Sequence, residues 1–271
     1  MLGSTGEAAS LSIDTRILVL RSVAQSTAGS LPIIANVSDT AMEHTLRLAD
    51  QAASIGAFAV ALSPPSYFTL DQPQLCAYVA HFCERSPLPV FLYNIPQFAH
   101  TAFAPETICD LAKLHKVIGL KNSDGSLDYL SRVRSGLGHR EGFTLLVGNE
   151  EALLPALQMG AHGGVCGGAN MFPQVFVELF NAATERRYVE AERLQEIVTQ
   201  VSEAVYQVGA PETSYLRGLK RALAVLQLSG DALAQPLQAF HPAEANELDA
   251  RLARVRKAFS ELDGLNHPAT M

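Results

Sequence analysis

Short apolar runs rich in branched and aromatic residues alternate with longer segments of helical spacing through most of the chain. The runs predict six strands, at 32–37, 58–62, 89–93, 117–121, 143–147 and 163–166. The spacing between them predicts helices near 12–27, 41–55, 72–84, 105–114, 126–136, 150–159 and 172–183. Such alternation is typical of βα units built around a parallel sheet.

The strand pattern stops near residue 185, and three amphipathic helical segments follow, at 186–208, 212–228 and 242–262. We therefore divide the chain into a βα part, 1–185, and a C-terminal helical region, 186–271. The alternation fits either an open doubly wound sheet or most of a (β/α)8 barrel. A dinucleotide-binding sheet carries GxGxxG after its first strand, and this sequence has no such element.

Composition and charge limit the classes of molecule that this protein is expected to bind. Hydrophobic residues make up 48% of the chain and charged residues 17%, which is typical of a folded protein. Lys and Arg number 20 against 27 Asp and Glu, a net charge of −7, so we expect no nucleic-acid partner. The sequence starts without a signal-peptide pattern and contains no apolar run near the roughly 20 residues that span a bilayer. We expect a cytoplasmic protein with no membrane partner.

Metal-ligand patterns are missing from the sequence. The four cysteines, Cys76, Cys83, Cys109 and Cys166, include no CxxC pair, and the eight histidines include no HExxH spacing. We therefore predict small core cysteines, no metal site and no cofactor.

Lys121 is the most informative residue, because it ends the apolar run 117–120 with few obvious partners. Desolvation favours the neutral amine, the form that attacks a carbonyl to make a Schiff base. The alternative is a lysine that reaches solvent or pairs with Asp124. Tyr93 ends the preceding strand, 28 residues earlier, and its hydroxyl is positioned to relay protons. A tyrosine held by packing and one hydrogen bond is the alternative there.

The segment Gly3-Ser4-Thr5-Gly6-Glu7 is a glycine-flanked turn that enters a helix. Exposed backbone N–H groups and two hydroxyls in such a turn suit a carboxylate. A turn without a ligand is the alternative.

Three motifs together, Gly3-Ser4-Thr5-Gly6-Glu7, Tyr93-Asn94-Ile95-Pro96 and Gly119-Leu120-Lys121, resemble the signature of the dihydrodipicolinate synthase and N-acetylneuraminate lyase family. These are pyruvate-dependent class I aldolases. The resemblance implies a catalytic (β/α)8 barrel with C-terminal helices, a homo-oligomer (dimer or tetramer), and covalent binding of pyruvate or another 2-oxo acid. The enzyme would be a carbon-carbon lyase.

Residue roles follow from the same resemblance. Lys121 matches the Schiff-base lysine, Tyr93 the proton-relay tyrosine, and the Ser4-Thr5 turn the site of the 2-oxo acid carboxylate. Tyr67 matches a tyrosine that reaches a neighbouring subunit, although Ser66 departs from the usual paired aromatics. The substrate-binding set implied for this chain is Ser4, Thr5, Tyr67, Phe98, Gly148, Glu150 and Val165.

The acceptor is suggested by departures from the synthase branch. An arginine of that branch, two residues after the motif proline, is Phe98 here, and phenylalanine cannot replace a bidentate cation. The Glu150-Glu151 pair resembles the lyase and sugar-acid aldolase branches, where such groups bind a polyol tail. Stabilisation of a helix N-terminus is the alternative role of these carboxylates. We expect a 2-oxo-3-deoxy sugar acid or N-acetylneuraminate-like substrate, although Gly167 replaces a serine typical of lyases. Synthase-type condensation is the alternative.

The resemblance implies two further strands and a helix before the glycine turn, whereas this sequence begins at the end of the second strand. We therefore expect a barrel that lacks most of its first two strands, and we hypothesise that Met1 corresponds to an internal position of a longer chain. Because an open barrel leaves edge strands unpaired, a non-catalytic 2-oxo acid binding protein is a second alternative function.

Overall fold

The computed structural model describes residues 1–138 and 140–260, which form two compact units. The first unit runs from Met1 to Asn149, and the second begins at Glu150. The sequence places a domain boundary at residue 185, where the predicted strands end, whereas the boundary between the two units lies at Asn149, after the fifth strand. The domain boundary at residue 185 stays a prediction.

The first unit alternates strands and helices along the chain. Its strands are β1 (Ile34–Asn36), β2 (Ala59–Leu62), β3 (Val90–Asn94), β4 (Val117–Asn122) and β5 (Thr144–Val147). Its helices are α1 (Ile13–Thr27), α2 (Met42–Ser54), α3 (Gln72–Arg85), α4 (Pro96–Ala99), α5 (Pro105–Leu111) and α6 (Leu127–Leu137). Two 3-10 turns, Ser4–Gly6 and Ala8–Ser10, precede α1.

The five strands of the first unit pair in chain order, and every pair is parallel. Because each strand returns through a helix, the carboxyl ends of all five lie at one edge of the sheet. The register pairs Tyr93 of β3 with Lys121 of β4, and Asn94 with Asn122. The register therefore brings the two predicted catalytic residues side by side at the carboxyl edge.

One face of this sheet carries a small apolar cluster. Its buried members are Ala59, Ala61, Phe91, Tyr93, Ile95 and Ala99. Gly119 lies opposite Phe91 in the register, and a Cβ at this glycine would lie 2.3 Å from Cε1 of the Phe91 ring. Gly119, two residues before Lys121, is therefore required for the close approach of β3 and β4.

The second unit is mainly helical. It contains a 3-10 turn at Glu150–Ala152, α7 (Leu153–Gln158), the short strand β6 (Gly163–Gly164), and a 3-10 turn at Gly168–Asn170. The long helices α8 (Pro173–Thr184), α9 (Tyr188–Tyr206), α10 (Pro211–Val225) and α11 (Pro242–Ser260) follow. Helix α9 packs against the other three, and its buried face includes Leu194, Ile197, Val198 and Val201.

The α/β class with a parallel sheet is confirmed, and the predicted strands and helices occur within a few residues of their predicted places. Three details differ. The sixth strand was predicted over 163–166 but ends at Gly164, because glycine favours strands poorly and the next residue, Val165, is exposed. The 150–159 helix starts as a 3-10 turn, and α4 was not predicted because four residues carry no helical period. The end of the predicted 242–262 helix, 261–262, lies outside the described residues. The two missing barrel strands stay a prediction.

Candidate active site

Lys121 and Tyr93 form the centre of the candidate site. The Lys121 Nζ atom lies over the face of the Tyr93 ring, 4.3 Å from its centroid. The Tyr93 side chain is buried and Lys121 is half-buried, so the amine meets the ring in a partly desolvated place. A ring face at this distance attracts an ammonium group and holds the amine at a fixed position.

The alternative partner of Lys121, Asp124, is engaged elsewhere. Its Oδ1 atom accepts hydrogen bonds from the Asn122 side-chain amide at 2.6 Å and from the Ser126 backbone N–H at 2.8 Å. Asp124 therefore stabilises the turn between β4 and α6 and does not pair with Lys121.

Two asparagines that the sequence analysis did not select fix the strand ends beside this pair. The Asn94 amide donates to Asn122 Oδ1 at 2.8 Å, and Asn94 Oδ1 accepts from the Phe103 backbone N–H at 3.1 Å. Both asparagines are buried, so these bonds are shielded from water. They hold the ends of β3 and β4 together one residue beyond Tyr93 and Lys121. An asparagine directly after each candidate residue is the sequence signal that could have indicated them.

Ser4 lies beside the tyrosine hydroxyl. Its Oγ atom is 3.4 Å from Tyr93 Oη, and either atom can donate. Ser4 and Thr5 both belong to the first 3-10 turn, which is closed by a bond from the Gly6 N–H to the Gly3 carbonyl. The structure therefore joins the predicted turn to the tyrosine through Ser4.

A cavity of about 220 Å³ opens next to Tyr93 at the carboxyl ends of β1, β2 and β3. Ser4, Tyr93 and Phe98 of the predicted site line it. The other lining residues are Gly3, Ala8, Ala9, Arg16, Asn36, Ser38, Asp39, Thr40, Ser63, Pro64, Pro65, Ser66, Ile95 and Ala99. Lys121, Thr5 and Gly148 do not line it. The Lys121 amine contacts the ring of Tyr93, and Tyr93 is also one of the lining residues.

A buried ion pair forms part of the cavity wall. Arg16 of α1 binds the Asp39 carboxylate through Nη2 and donates to the Ser38 carbonyl through Nη1 at 3.2 Å. Burial alone raises the pKa of Asp39, but the hydrogen bond from the Ala41 N–H and the Arg16 guanidinium together bring it below its usual value. The sequence analysis missed this pair, which joins residues 23 positions apart.

Gly148 lies against the lysine from the β5 side. A Cβ at this position would lie 1.9 Å from Ser123 Oγ and 3.2 Å from Lys121 Cε. Its backbone N–H donates to the Asn122 carbonyl at 2.7 Å, which fixes the glycine beside β4. The absence of a side chain at Gly148 thus leaves room for the Ser123 hydroxyl and, next to it, for the Lys121 side chain.

Tyr67 contacts none of these groups. It is 80% exposed in the loop after β2, and its ring packs edge-on against Phe68 with centroids 5.0 Å apart. Its predicted contact with a neighbouring subunit stays a prediction. Val165 follows β6 in the second unit and is also exposed, at 47%. Its predicted substrate contact likewise stays a prediction.

Glu150 is engaged inside the second unit. Its side chain is buried, and Oε2 accepts a hydrogen bond from the Gly168 N–H at 2.7 Å. The Tyr206 hydroxyl faces the same carboxyl, but neither it nor Glu150 Oε1 completes a hydrogen bond. Burial raises the pKa of Glu150 to about 7, although the Gly168 amide and the Tyr206 hydroxyl oppose part of that rise.

Helix α9 holds the segment around Glu150. Gln195 donates to the Glu150 carbonyl at 3.0 Å and accepts from the Leu154 N–H at 2.8 Å, and Ser202 donates to the Glu151 carboxylate. Both predicted polyol-binding carboxylates thus have protein partners. Their contact with substrate stays a prediction.

The described residues contain neither a metal-ligand cluster nor a membrane-spanning helix. Within residues 1–138 and 140–260, no three His, Cys, Asp or Glu side chains are grouped as a metal ion would require. None of the helices in those same ranges has the length and apolar character needed to cross a membrane.

The fold and this residue pair define a parallel α/β protein with a lysine and a tyrosine at adjacent strand ends. The chain belongs to the dihydrodipicolinate synthetase family, whose sequence model matches residues 1–255. N-acetylneuraminate lyase of Rhizobium meliloti is 30% identical over 253 residues, covering 93% of this chain and 82% of that protein. A 4-hydroxy-tetrahydrodipicolinate synthase of Cereibacter sphaeroides is 30% identical over 254 residues, covering 93% and 84% respectively.

A solved structure extends this comparison to the fold. Dihydrodipicolinate synthase from Bacteroides thetaiotaomicron superposes with a TM-score of 0.89 at 40% sequence identity. The match covers 93% of this chain and 85% of that one. The family that the three sequence motifs suggested is therefore confirmed.

Proposed function

We propose that this protein is a class I aldolase that forms or cleaves a carbon-carbon bond between pyruvate and an aldehyde through a Schiff base on Lys121. The observation that carries this proposal is the position of the Lys121 amine over the Tyr93 ring, with the Tyr93 hydroxyl 3.4 Å from Ser4 Oγ. Family membership supports it, because one relative is named as an N-acetylneuraminate lyase and another as a 4-hydroxy-tetrahydrodipicolinate synthase.

The chemistry starts with attack of the neutral amine on C2 of pyruvate. The carbinolamine loses water, its hydroxyl leaving with a proton from Tyr93, and the protonated imine forms. The protonated imine withdraws electrons, so C3 loses a proton to the Tyr93 oxygen and becomes the nucleophilic carbon of an enamine. That carbon attacks the aldehyde carbon, and the aldehyde oxygen takes the proton back from Tyr93. Water then hydrolyses the imine, which returns a proton to Tyr93 and releases a 4-hydroxy-2-oxo acid. Cleavage is the same sequence reversed.

Tyr93 and Ser4 supply the proton path in this scheme. A tyrosine hydroxyl next to a second hydroxyl passes a proton on without a separate charge remaining in a partly buried site. We propose that the Ser4-Thr5 turn holds the 2-oxo acid carboxylate through its hydroxyls and backbone N–H groups. Gly148 keeps the space around the lysine in which the imine forms.

Two proposals are open for the aldehyde that reacts with pyruvate. We retain the sugar-acid or N-acetylneuraminate-like substrate as the lyase proposal, with the Rhizobium meliloti relative in support. Synthase-type condensation is the second candidate, favoured by the 40% identity to the Bacteroides thetaiotaomicron synthase. None of the comparisons favours a non-catalytic 2-oxo acid binding protein. The exposed pair Tyr67 and Phe68 supports a homo-oligomer, dimer or tetramer, in which an equivalent subunit covers these rings.

Exchange of the C3 hydrogens of pyruvate tests the proposal without an acceptor. In deuterium oxide the enamine returns a deuteron to C3, so the pyruvate methyl signal in a proton NMR spectrum declines. We expect protein-dependent exchange in the native chain and none in Lys121→Arg, which keeps the charge but offers no neutral amine. Equal exchange in the native and Lys121→Arg proteins contradicts a Schiff base on this residue.

A further inference from the structure

The cavity beside Tyr93 has no unpaired charge. Arg16 and Asp39 are the charged residues among those that line it, and they bind each other. Arg16 is 6% exposed, and its guanidinium also donates to the Ser38 carbonyl. An aldehyde that carries a carboxylate of its own, besides the pyruvate carboxylate at the Ser4-Thr5 turn, would meet in Arg16 a cation that Asp39 already neutralises, and this second carboxylate would lose hydration without a new charged partner.

Several polar side chains of the cavity already bind one another. The Ser38 hydroxyl donates to Asn36 Oδ1 and accepts from the Ser63 N–H, both at 2.8 Å. The Asn36 amide donates to the Leu2 carbonyl at 2.8 Å. A ligand rich in hydroxyls gains little here, because these groups must first give up the partners that they hold.

One part of the cavity wall is apolar, although the hydroxyls of Ser4, Thr40 and Ser66 also line the cavity. The apolar part is formed by Ala8, Pro64, Pro65, Ile95, Phe98 and Ala99. Phe98 lies on the short helix α4 and is 50% exposed, so part of its ring is available to a ligand. Covering an exposed aromatic ring with an apolar group is favourable.

The cavity is also small. Its volume of about 220 Å³ is below the roughly 300 Å³ at which pockets begin to enclose drug-sized ligands. Tyr93 lines this cavity and also carries the Lys121 amine on its ring. An aldehyde in the cavity therefore lies next to Tyr93, the residue that contacts the Lys121 amine on which the imine would form.

We infer that the aldehyde partner is short, uncharged and apolar, and that Phe98 is the residue that selects it. This inference rests on the proposed Schiff-base reaction and replaces the two acceptor types named above, the hydroxyl-rich sugar-acid type and the synthase type, with a third. The enamine carbon C3 bonds to the aldehyde carbon, the aldehyde oxygen takes up a proton from the Tyr93 hydroxyl, and water hydrolyses the imine and returns a proton to Tyr93. The product is a 4-hydroxy-2-oxo acid whose apolar tail packs against Phe98.

Three aldehydes of equal carbon number test the inference. Butanal is apolar, erythrose carries hydroxyl groups, and succinic semialdehyde ends in a carboxylate. Each is incubated with pyruvate and the protein, and kcat/KM is measured from the formation of the 4-hydroxy-2-oxo acid. We expect butanal to exceed each of the other two by about tenfold or more, because buried polar groups without partners are strongly discriminated against.

A matched pair of variants assigns the selection to Phe98. Phe98→Leu keeps an apolar wall, and we expect it to keep the order of the three aldehydes. Phe98→Arg adds a cation to the cavity, and we expect kcat/KM to fall for butanal and rise about tenfold for succinic semialdehyde. An unchanged order in Phe98→Arg overturns the role of Phe98.

Pyruvate C3 exchange separates failure of this inference from failure of the proposed function. Exchange without an acceptor shows that the enamine forms, and a preference for erythrose or succinic semialdehyde in that case overturns only the acceptor class. Exchange with turnover of none of the three aldehydes also overturns it. Loss of exchange in the native protein overturns the proposed function and the inference with it. Exchange in both Phe98 variants shows in addition that they are folded.

Discussion

The Lys121 amine nitrogen lies 4.3 Å from the centroid of the Tyr93 ring, because the parallel register of β3 and β4 pairs these two residues directly. The ring positions the amine through its face, while the hydroxyl at its edge lies next to Ser4. One side chain thus contributes an apolar surface and a proton-carrying group to the proposed site. These two contributions can be separated by substitution.

Tyr93→Phe removes the hydroxyl and keeps the ring under the amine. We predict that kcat for the aldol reaction falls about 10²- to 10³-fold, since proton transfer by a positioned side chain contributes an amount of this order. The rate of pyruvate C3 exchange, measured by NMR, is expected to fall in parallel because imine formation uses the same proton. Tyr93→Leu, which loses both ring and hydroxyl, serves for comparison. Equal rates in native protein and Tyr93→Phe speak against proton transfer by Tyr93.

Gly148→Ala fills the space beside the lysine. Its Cβ would lie 1.9 Å from Ser123 Oγ and 3.2 Å from Lys121 Cε, so both side chains have to move. We predict a loss of about 1–3 kcal/mol in the free energy of unfolding, as overpacking generally costs, and slower pyruvate exchange. Urea unfolding and NMR exchange measure the two effects.

Gly230→Ala is the matched control for that substitution. A Cβ at Gly230 meets no atom within 4 Å, and we expect both quantities to stay near the native values. A Gly148→Ala protein as stable and as active as Gly230→Ala would show that Gly148 does not provide the space for Lys121.

Glu150 makes the stability of the protein depend on pH. Burial raises the pKa of its carboxyl from 4.5 to about 7, so between these pH values the folded protein holds a proton that the unfolded chain has released. The contribution is fully present below about pH 4.5 and is lost as the pH rises through about 7. The free-energy change over this window is of order 3 kcal/mol.

Glu150→Gln keeps an acceptor for the Gly168 N–H and cannot ionise. We predict that urea unfolding of the native protein between pH 5 and pH 8.5 shows a loss of stability that is reduced in Glu150→Gln. The comparison isolates this group, because every other titrating residue is shared by the two proteins. The same pH dependence in both would mean that the buried carboxyl does not hold the extra proton.

Much of the fold could be predicted because the strands are short apolar runs separated by helical spacing. Lys121 and Tyr93 could be predicted as candidate catalytic residues for the same reason, because each ends such a run and one βα unit separates them. Their neighbours Asn94 and Asn122 follow directly in sequence, but an asparagine at a strand end does not reveal which bond it makes.

Other features depend on contacts between distant segments. The Arg16–Asp39 pair joins α1 to the loop after β1, and hydrophobic periodicity carries no information on ion pairing across that distance. The Glu150 and Glu151 side chains look alike in sequence, but Glu150 accepts a hydrogen bond from the Gly168 N–H, 18 residues later, and Glu151 accepts one from Ser202 of α9, 51 residues later. The sequence therefore identified two candidate carboxylates without showing that both have protein partners.

Borohydride reduction in the presence of pyruvate tests the central claim most directly, because it converts a transient imine into a stable secondary amine. The mass of the intact protein then reports how many adducts form, and peptide mapping identifies the modified lysine. We predict one pyruvate-derived adduct, on Lys121, that is absent from Lys121→Arg. A folded native protein that gains no adduct, or gains it on another lysine, contradicts a Schiff-base aldolase built on Lys121 and Tyr93.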